Sequence, residues 1–157
     1  MRSAIFTISD RCSRNEAVDE SGPIVSAFCR DMEMDVVQHR VVPDNVEVIA
    51  GALCHGADVL RADLLITTGG TGLGPRDVTP EATLKVIDRQ AIGIAEAIRA
   101  VNLQGNPLAM LSRGVAGLRG RTLIINLPGS PRAVSESLEV LRPVLKHALA
   151  IVAGAAH

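Results

Sequence analysis

Aromatic residues are almost absent from this sequence, which has two phenylalanines, no tryptophan and no tyrosine among its 157 residues. Proteins that bind single-stranded nucleic acid stack the bases on aromatic side chains, so this composition argues against that class. The formal net charge is only −1, so the sequence does not indicate the strongly basic surface that binds nucleic acids or anionic membranes. We therefore expect neither nucleic acid nor a membrane as a partner.

Cysteines and long apolar runs are scarce as well. Cys12, Cys29 and Cys54 form no CxxC pair and are odd in number, so a disulfide framework is not expected. No apolar run approaches the roughly 18 residues of a membrane span, and the first residues lack the hydrophobic region of a signal peptide. These absences lead us to expect a cytoplasmic protein with reduced thiols.

The sequence does contain strand and helix patterns that alternate along the chain. Its 47% apolar and 21% charged residues are typical of a globular protein. The predicted strands are 4–9, 35–42, 63–68, 112–118 and 121–126, and the predicted helices are 22–34, 46–60, 80–89, 94–102 and 131–153. Strands that alternate with long helices form βαβ units, so we predict a three-layer α/β/α sandwich with a mostly parallel sheet. No linker or repeat divides the chain, and residues 1–157 are predicted to form a single domain.

Polar residues and glycines collect where the predicted strands end. Ser9 and Asp10 follow the first strand, Asp44 follows the second, a glycine turn at 69–74 follows the third, and LPGSP at 127–131 follows the last. Ligands of an open parallel sheet bind outside the carboxyl ends of its strands. The sequence therefore predicts a binding site at this edge.

The glycine turn, GGTGLG, is the richest of these segments. Its glycines can adopt positive φ angles and approach a ligand closely, which leaves backbone amides free to face an anion. Thr79 is a suitable N-cap and Pro80 suits the first helical position, so a helix N-terminus just beyond the turn would also favour phosphate. The spacing matches neither a P-loop nor GxGxxG. The alternative is a tight turn that binds no ligand.

Two aspartates near these strand ends admit two interpretations each. Asp77 could simply favour the dipole of the helix that follows, or it could help to hold Mg²⁺, which takes one or two carboxylates plus phosphate oxygens. Asp44 fits an Asp-x-x-Glu capping box with Glu47, and spacing alone favours that structural role. Both aspartates follow strands that end at the same edge, however, and a shared crevice would suit metal-assisted phosphoryl or nucleotidyl transfer.

Two further candidates lie near the last strands. Asn126 ends an apolar strand where a purely structural residue would be apolar, and Ser130 is a predicted N-cap for the last helix. A plain strand-to-helix connection is the alternative for this segment. The hydroxyl of Ser112 and the guanidinium of Arg113 could hold a phosphate or the polar edge of a ring.

Taken in order, these motifs resemble the molybdopterin adenylyltransferase family, whose bacterial single-domain enzymes are related to the G domains of gephyrin and of its plant counterpart. The resemblance runs nearly from end to end, and its long glycine-rich motif makes it specific. It is carried by TISD (7–10), SGP (21–23), VVPD (41–44), GGTGLGPRDVTPEAT (69–83), AMLSRGVAGLRG (109–120) and LIINLPGSP (123–131).

The resemblance implies an activity and a set of site residues. Members of this family bind molybdopterin and Mg²⁺-ATP, transfer AMP to the terminal phosphate of molybdopterin and release pyrophosphate. Their two essential aspartates correspond to Asp44 and Asp77, which would also hold the metal. The family's substrate- and nucleotide-binding positions correspond to Ser9, Asp10, Gly69, Gly70, Thr71, Gly72, Ser112, Asn126, Pro128 and Gly129.

The resemblance also implies a homotrimer and a separate molybdenum-insertion protein as a partner. The last helix carries an apolar stripe wider than one core face requires. The favoured interpretation is that this helix is buried on the sheet with a kink at Pro143, and the alternative is that part of the stripe forms a subunit interface.

The segment 76–81, which some members of a sister group of doubtful activity lack, is intact. The first loop, 11–15, is more cationic than expected, which leaves its contacts open. A carrier of molybdopterin or a trimeric scaffold would be the alternatives to an enzyme.

Overall fold

The computed structural model describes residues 1–155, in which six strands and six α-helices alternate. The strands are β1 (Arg2–Ile8), β2 (Asp35–Val42), β3 (Leu64–Thr68), β4 (Arg89–Gln90), β5 (Ala116–Arg119) and β6 (Thr122–Leu127). The helices are α1 (Asp10–Ser13), α2 (Ser21–Asp31), α3 (Val46–Cys54), α4 (Thr79–Val86), α5 (Ile92–Gly105) and α6 (Pro131–Val152). A π-helical turn, His55–Val59, extends α3, and a 3₁₀ segment, Pro107–Leu111, follows α5.

All six strands form one sheet in the order β2-β1-β3-β6-β5-β4. The first four are parallel, whereas β5 runs antiparallel to β6 and β4 antiparallel to β5. The chain leaves β1 towards β2 through α2 and returns through α3 to β3 on the other side of β1. This change of direction creates a crevice between the carboxyl ends of β1 and β3, which is the usual place for a ligand in such a sheet.

Two apolar clusters lie on opposite faces of the sheet because side chains alternate along each strand. The aligned residues Ile5, Ile66 and Ile125 belong to one cluster, which the helices α2, α5 and α6 cover. Phe6 and Leu65 belong to the other cluster, which α3 and α4 cover. The predicted three-layer α/β/α architecture with a mostly parallel sheet is therefore confirmed.

The segment after α5 differs from the prediction. The strand expected at 112–118 is shorter and begins at Ala116, because Pro107–Leu111 forms the 3₁₀ segment and Arg113 bonds to the glycine turn. The two-residue strand β4 and the four-residue helix α1 were not predicted, since elements of this length carry too few residues to show a hydrophobic period.

The apolar stripe of α6 packs into the core, and the helix continues through Pro143. The stripe residues Leu138, Leu141, Leu145 and Leu149 are all buried, so its main role is the favoured one of burial. The three cysteines are free thiols, as expected. Among residues 1–155, no helix combines the length and apolar character needed to cross a membrane.

Candidate active site

The loops that follow β3 and β6 pack against each other at the carboxyl edge of the sheet. Gly69 and Gly70 have φ angles of +95° and +63°, in the region that favours glycine. The Thr68 hydroxyl donates a hydrogen bond to the carbonyl oxygen of Pro128 (2.7 Å). A Cβ atom on Gly129 would lie only 3.3 Å from the Cα of Gly69. Glycine at these positions thus allows two backbones to meet at one edge.

Two cavities open at this edge, and Gly70, Asp77 and Gly129 line both of them. The larger cavity, of about 470 Å³, extends from the glycine turn to α5 and the start of α6. The smaller cavity, of about 320 Å³, lies at the ends of β1 and β3 and includes Asp44. Because they share lining residues, the cavities adjoin and can hold two ligands side by side.

Asp77 lies in the loop where the two cavities meet. Its Oδ2 accepts a hydrogen bond from the backbone amide of Gly74 (2.9 Å). A Cβ atom on either Gly72 or Gly74 would lie 2.8 Å from the same oxygen, so both glycines leave space for this carboxylate. The carboxylate is therefore held by the glycine turn itself, and it faces the space between the cavities.

Asp44 does not cap α3, and the capping-box prediction is wrong. The cap is Asn45, whose Oδ1 accepts hydrogen bonds from the amides of Glu47 (3.0 Å) and Val48 (3.1 Å). Asp44 instead forms a reciprocal pair with Asp10. The Asp10 amide donates to Oδ2 of Asp44 (2.8 Å), and the Asp44 amide donates to Oδ1 of Asp10 (3.1 Å). The Asp44 carboxylate is thereby fixed at the smaller cavity.

Negative charge is concentrated around Asp44. Burial raises the pKa of Asp44 above its ordinary value, and the charges of Asp10 and Asp77 raise it further. Burial acts on Asp10 in the same direction, but the hydrogen bond from Nε of Arg76 (3.0 Å) holds the pKa of Asp10 below its ordinary value. Since partly buried carboxylates repel one another, a bound cation would lower the energy of this arrangement.

The donor set fits Mg²⁺ that is bound together with phosphate. Among residues 1–155, no group of three or more His, Cys, Asp or Glu side chains could hold a metal ion alone. Mg²⁺ commonly takes one or two carboxylates, keeps several waters and completes its shell with substrate phosphates. Asp44 and Asp77 supply two carboxylates to one cavity, next to the glycine turn.

Thr79 does not cap α4 but joins it to the glycine turn. The residue before the helix is Val78, and it makes no side-chain capping bond. The buried Thr79 hydroxyl donates to the carbonyl oxygen of Gly69 (3.0 Å), and the Thr79 amide donates to that of Gly70 (3.0 Å). The N-terminus of α4 is therefore tied directly to the turn, although the predicted N-cap is wrong.

Asn126 is buried, and both polar atoms of its side-chain amide form hydrogen bonds. Its Nδ2 donates to the hydroxyls of Thr67 and Thr83 (both 3.0 Å), and its Oδ1 accepts from the amide of Val115 (3.2 Å). These bonds connect β6 to β3, to α4 and to the residue before β5. Asn126 does not line either cavity, so a direct contact with substrate stays a prediction.

The structure brings most of the other predicted site residues to the cavities. Ser9 lines the smaller cavity and its Oγ also accepts a hydrogen bond from the amide of Cys12 (3.2 Å), which caps α1. Asp10 lines neither cavity but positions Asp44. The predicted residues along the larger cavity are Gly70, Thr71, Gly72, Ser112, Pro128 and Gly129.

Arg113 has a structural role that the sequence did not reveal. Its Nε donates to the carbonyl oxygen of Gly72 (2.8 Å) and its Nη2 to that of Asp77 (2.6 Å), while Nη1 pairs with Glu81. Its backbone amide also donates to the carbonyl oxygen of Thr71 (2.7 Å). The guanidinium, considered above as a ligand for phosphate, is therefore engaged in holding the glycine turn.

Asp19 is a second residue that the sequence analysis missed. Its Oδ2 accepts from the Thr7 hydroxyl (2.7 Å) and lies 2.9 Å from Nε2 of His39, while its Oδ1 accepts from the Gly22 amide (2.9 Å). The residue lines the smaller cavity and fixes the loop between α1 and α2. An aspartate just before a helix, where its side chain can accept a hydrogen bond from an amide of the first turn, is the signal that could have found it.

Comparisons with known proteins agree with this geometry. Residues 4–147 match the family described as "Probable molybdopterin binding domain". The chain belongs to this family. The molybdopterin adenylyltransferase of Escherichia coli K12 is 40% identical over 88% of this chain and 72% of its own length. The Helicobacter pylori J99 enzyme of the same name is 36% identical over 96% of this chain and 86% of its own.

A longer relative and two solved structures extend the comparison. Gephyrin of Dictyostelium discoideum is 40% identical over 94% of this chain, which spans only 22% of the length of that protein. Among solved structures, the molybdopterin biosynthesis enzyme MoaB of Thermus thermophilus has a TM-score of 0.92 and 47% identity, with 98% of this chain and 97% of that chain covered. The tungsten cofactor synthesizing protein MoaB of Pyrococcus furiosus has a TM-score of 0.85 at 28% identity, with 96% of each chain covered. The resemblance found in the motifs is confirmed.

Proposed function

We propose that this protein is a molybdopterin adenylyltransferase, which transfers AMP from Mg²⁺-ATP to the terminal phosphate of molybdopterin. The observation that carries this proposal is the pair of adjoining cavities that share Gly70, Asp77 and Gly129. A transfer between two substrates needs both of them bound at once with their reacting atoms close together. The names of the bacterial relatives support the same reaction.

The reaction requires positioning more than covalent chemistry. An oxygen of the terminal phosphate of molybdopterin attacks the α-phosphorus of ATP, and the bond to the β-phosphate oxygen breaks. Pyrophosphate leaves with the electron pair of that bond. Because a phosphate monoester loses its second proton near pH 6, the attacking oxygen is already ionised at neutral pH and needs no strong base. Amides of the glycine turn would bind the phosphate oxygens.

Asp44 and Asp77 would hold Mg²⁺, which when bound supplies positive charge that neutralises the phosphates. The protein contributes by fixing both carboxylates before the substrates arrive. The Asp10 amide orients Asp44, and the Gly74 amide orients Asp77. Preorganised groups need not rearrange during the reaction, and this lowers its barrier. The assembly into a homotrimer, a molybdenum-insertion partner and a cytoplasmic location stay predictions.

The test is the formation of adenylylated molybdopterin, detected by mass after incubation with molybdopterin, Mg²⁺ and ATP. We expect Asp77→Asn to lower the turnover rate by about 100-fold or more, since it removes a charge that acts on the metal, while the affinity for molybdopterin stays nearly unchanged. Asp35→Asn is the matched control, because Asp35 is an exposed aspartate at the opposite end of the sheet.

Two results would count against the proposal. Wild-type protein that binds molybdopterin but forms no adenylylated product would be a carrier rather than an enzyme. An Asp77→Asn protein with the turnover of wild type would leave the transfer in place but contradict the metal role of Asp77.

A further inference from the structure

Arg99, on α5, brings a positive charge to the larger cavity without a carboxylate partner. The residue is half-buried and lines this cavity. Its Nη1 donates a hydrogen bond to the carbonyl oxygen of Gly114 (2.7 Å), and it forms no ion pair within residues 1–155. Arg132, which also lines the cavity, is by contrast paired with Glu136 (2.8 Å). A partly buried charge without a counter-ion is costly, so an anion bound beside Arg99 would be favoured.

Two nitrogens of the Arg99 guanidinium are free to bind a ligand. Nε and Nη2 donate to no acceptor in the part of the chain that the structure describes. In that same part, the only side-chain atoms that are both buried and without a partner are Oε1 of Gln38 and Oδ1 of Asn102. The two free nitrogens of Arg99 are therefore accessible to solvent. They form one edge of a planar fork, which can donate to two oxygens of the same phosphate.

Gly114 connects this guanidinium to Ser112 and to the glycine turn. The Gly114 amide lies 3.4 Å from Oγ of Ser112, while the Gly114 carbonyl oxygen binds Arg99. Ser112 lines the same cavity, and its hydroxyl donates to no acceptor among the described residues. The next residue, Arg113, donates its amide to the carbonyl oxygen of Thr71 in the turn (2.7 Å). A guanidinium and a hydroxyl with free donors thus lie next to the turn in the wall of one cavity.

We propose that Arg99 and Ser112 bind a phosphate group of the ligand that occupies the larger cavity. The guanidinium expected beside Ser112 from the sequence was that of Arg113, but Arg113 holds the glycine turn instead. Arg99 supplies a guanidinium from α5 at this place. The inference rests on the proposed function for the identity of the ligand, since ATP and molybdopterin both carry phosphate.

Binding measurements with and without the phosphate test this role. We would measure Kd by calorimetry for Mg²⁺-ATP and molybdopterin, and for their phosphate-free counterparts, adenosine and dephosphorylated molybdopterin. Arg99→Met keeps much of the apolar stem and removes the guanidinium. If the bound phosphate belongs to ATP, this variant raises the Kd for ATP about tenfold and leaves that for molybdopterin unchanged; if it belongs to molybdopterin, the reverse holds. The Kd values of the phosphate-free ligands should not change in either case.

Two further variants of the same cavity wall should act on the same Kd. Arg99→Lys keeps the charge but loses the fork, so we expect a smaller rise than for Arg99→Met. Ser112→Ala removes one neutral donor and should raise this Kd about fivefold.

Arg121→Met is the matched control. Arg121 also donates to a backbone carbonyl, that of Ala153 (2.6 Å), and lines neither cavity, so its replacement should change no Kd. The inference is overturned if Arg99→Met raises neither Kd more than Arg121→Met does, or if it weakens the phosphate-free ligands equally. Wild-type protein that forms no adenylylated product, while Arg99→Met still weakens a phosphorylated ligand, would contradict the proposed function and support this inference.

Discussion

Arg113 should contribute to the stability of the protein and, by holding the glycine turn in place, to its activity. Replacing it with methionine keeps much of the apolar stem but removes all three side-chain interactions, with Gly72, Asp77 and Glu81. The turn that carries Asp77 would keep its backbone bonds and those of Thr79 to its first residues, but the side chain that ties the carbonyl oxygens of Gly72 and Asp77 together would be lost. We therefore expect Arg113→Met to lower both the free energy of unfolding and the turnover rate.

The magnitude follows from the contacts. A hydrogen bond from a charged donor contributes about 1.5 kcal/mol at the low end of its range, which suits a side chain that is 35% exposed. Two such bonds to the carbonyl oxygens of Gly72 and Asp77 amount to about 3 kcal/mol. The partly exposed pair with Glu81 adds at most about 1 kcal/mol. A displacement of Asp77 by about 1 Å would reduce turnover by about 100-fold.

Urea unfolding and the AMP-transfer assay measure these two effects. Arg119→Met is the matched control, since Arg119 also donates to a backbone carbonyl, that of Val86 (2.9 Å), and pairs with a carboxylate, Asp58, but lines neither cavity. It should lose about 2 kcal/mol and keep its activity. The reasoning would be refuted if Arg113→Met retained wild-type turnover, or if it lost no more turnover than Arg119→Met.

Two other predictions concern the loops around the site. Burial opposes the ionisation of Asp19, but hydrogen bonds from Thr7 and Gly22 and the contact with His39 hold its pKa below the ordinary value. This stabilisation is present above about pH 4 and is lost as the pH falls through the lowered pKa. Asp19→Asn should therefore lower the free energy of unfolding by about 1 kcal/mol at pH 7 and by progressively less in acid. An equal loss at all pH values would contradict this. Gly69→Ala should lower the thermal midpoint, because φ is +95° and the new Cβ would clash with the carbonyl oxygen of Ile8. Gly51→Ala is the control: this residue lies within α3 with open space around it, so the substitution should raise the free energy of unfolding by about 0.5–1 kcal/mol. A Gly69→Ala protein as stable as wild type would contradict the first expectation.

The sequence predicted the sheet and the location of the site for local reasons. Buried parallel strands are short, mostly apolar segments, and 64–68 and 122–127, in which every residue is buried, are both of this kind. Polar residues and glycines after such runs mark the carboxyl edge, where Asp44, the glycine turn and Gly129 do line the cavities.

The capping residues were less well predicted because several polar residues compete at each helix start. Asp44 and Asn45 are both suitable N-caps, and only the backbone direction after β2 decides that Asn45 takes this role. In the same way Thr79 is a good cap by type, but its hydroxyl bonds to Gly69. One residue of register therefore removes the capping role that spacing alone favours for Asp44 and leaves its predicted role as a metal ligand.

The sequence by itself determined the α/β class, the edge of the sheet at which the candidate site lies and the family, because these follow from hydrophobic periods and from motifs that are contiguous along the chain. Only the tertiary structure decided which side chains act together. Arg113 and Asp77 are 36 positions apart, and Arg76 and Asp10 are 66 apart. Contacts over such separations depend on how the helices pack on the sheet, which no local pattern encodes.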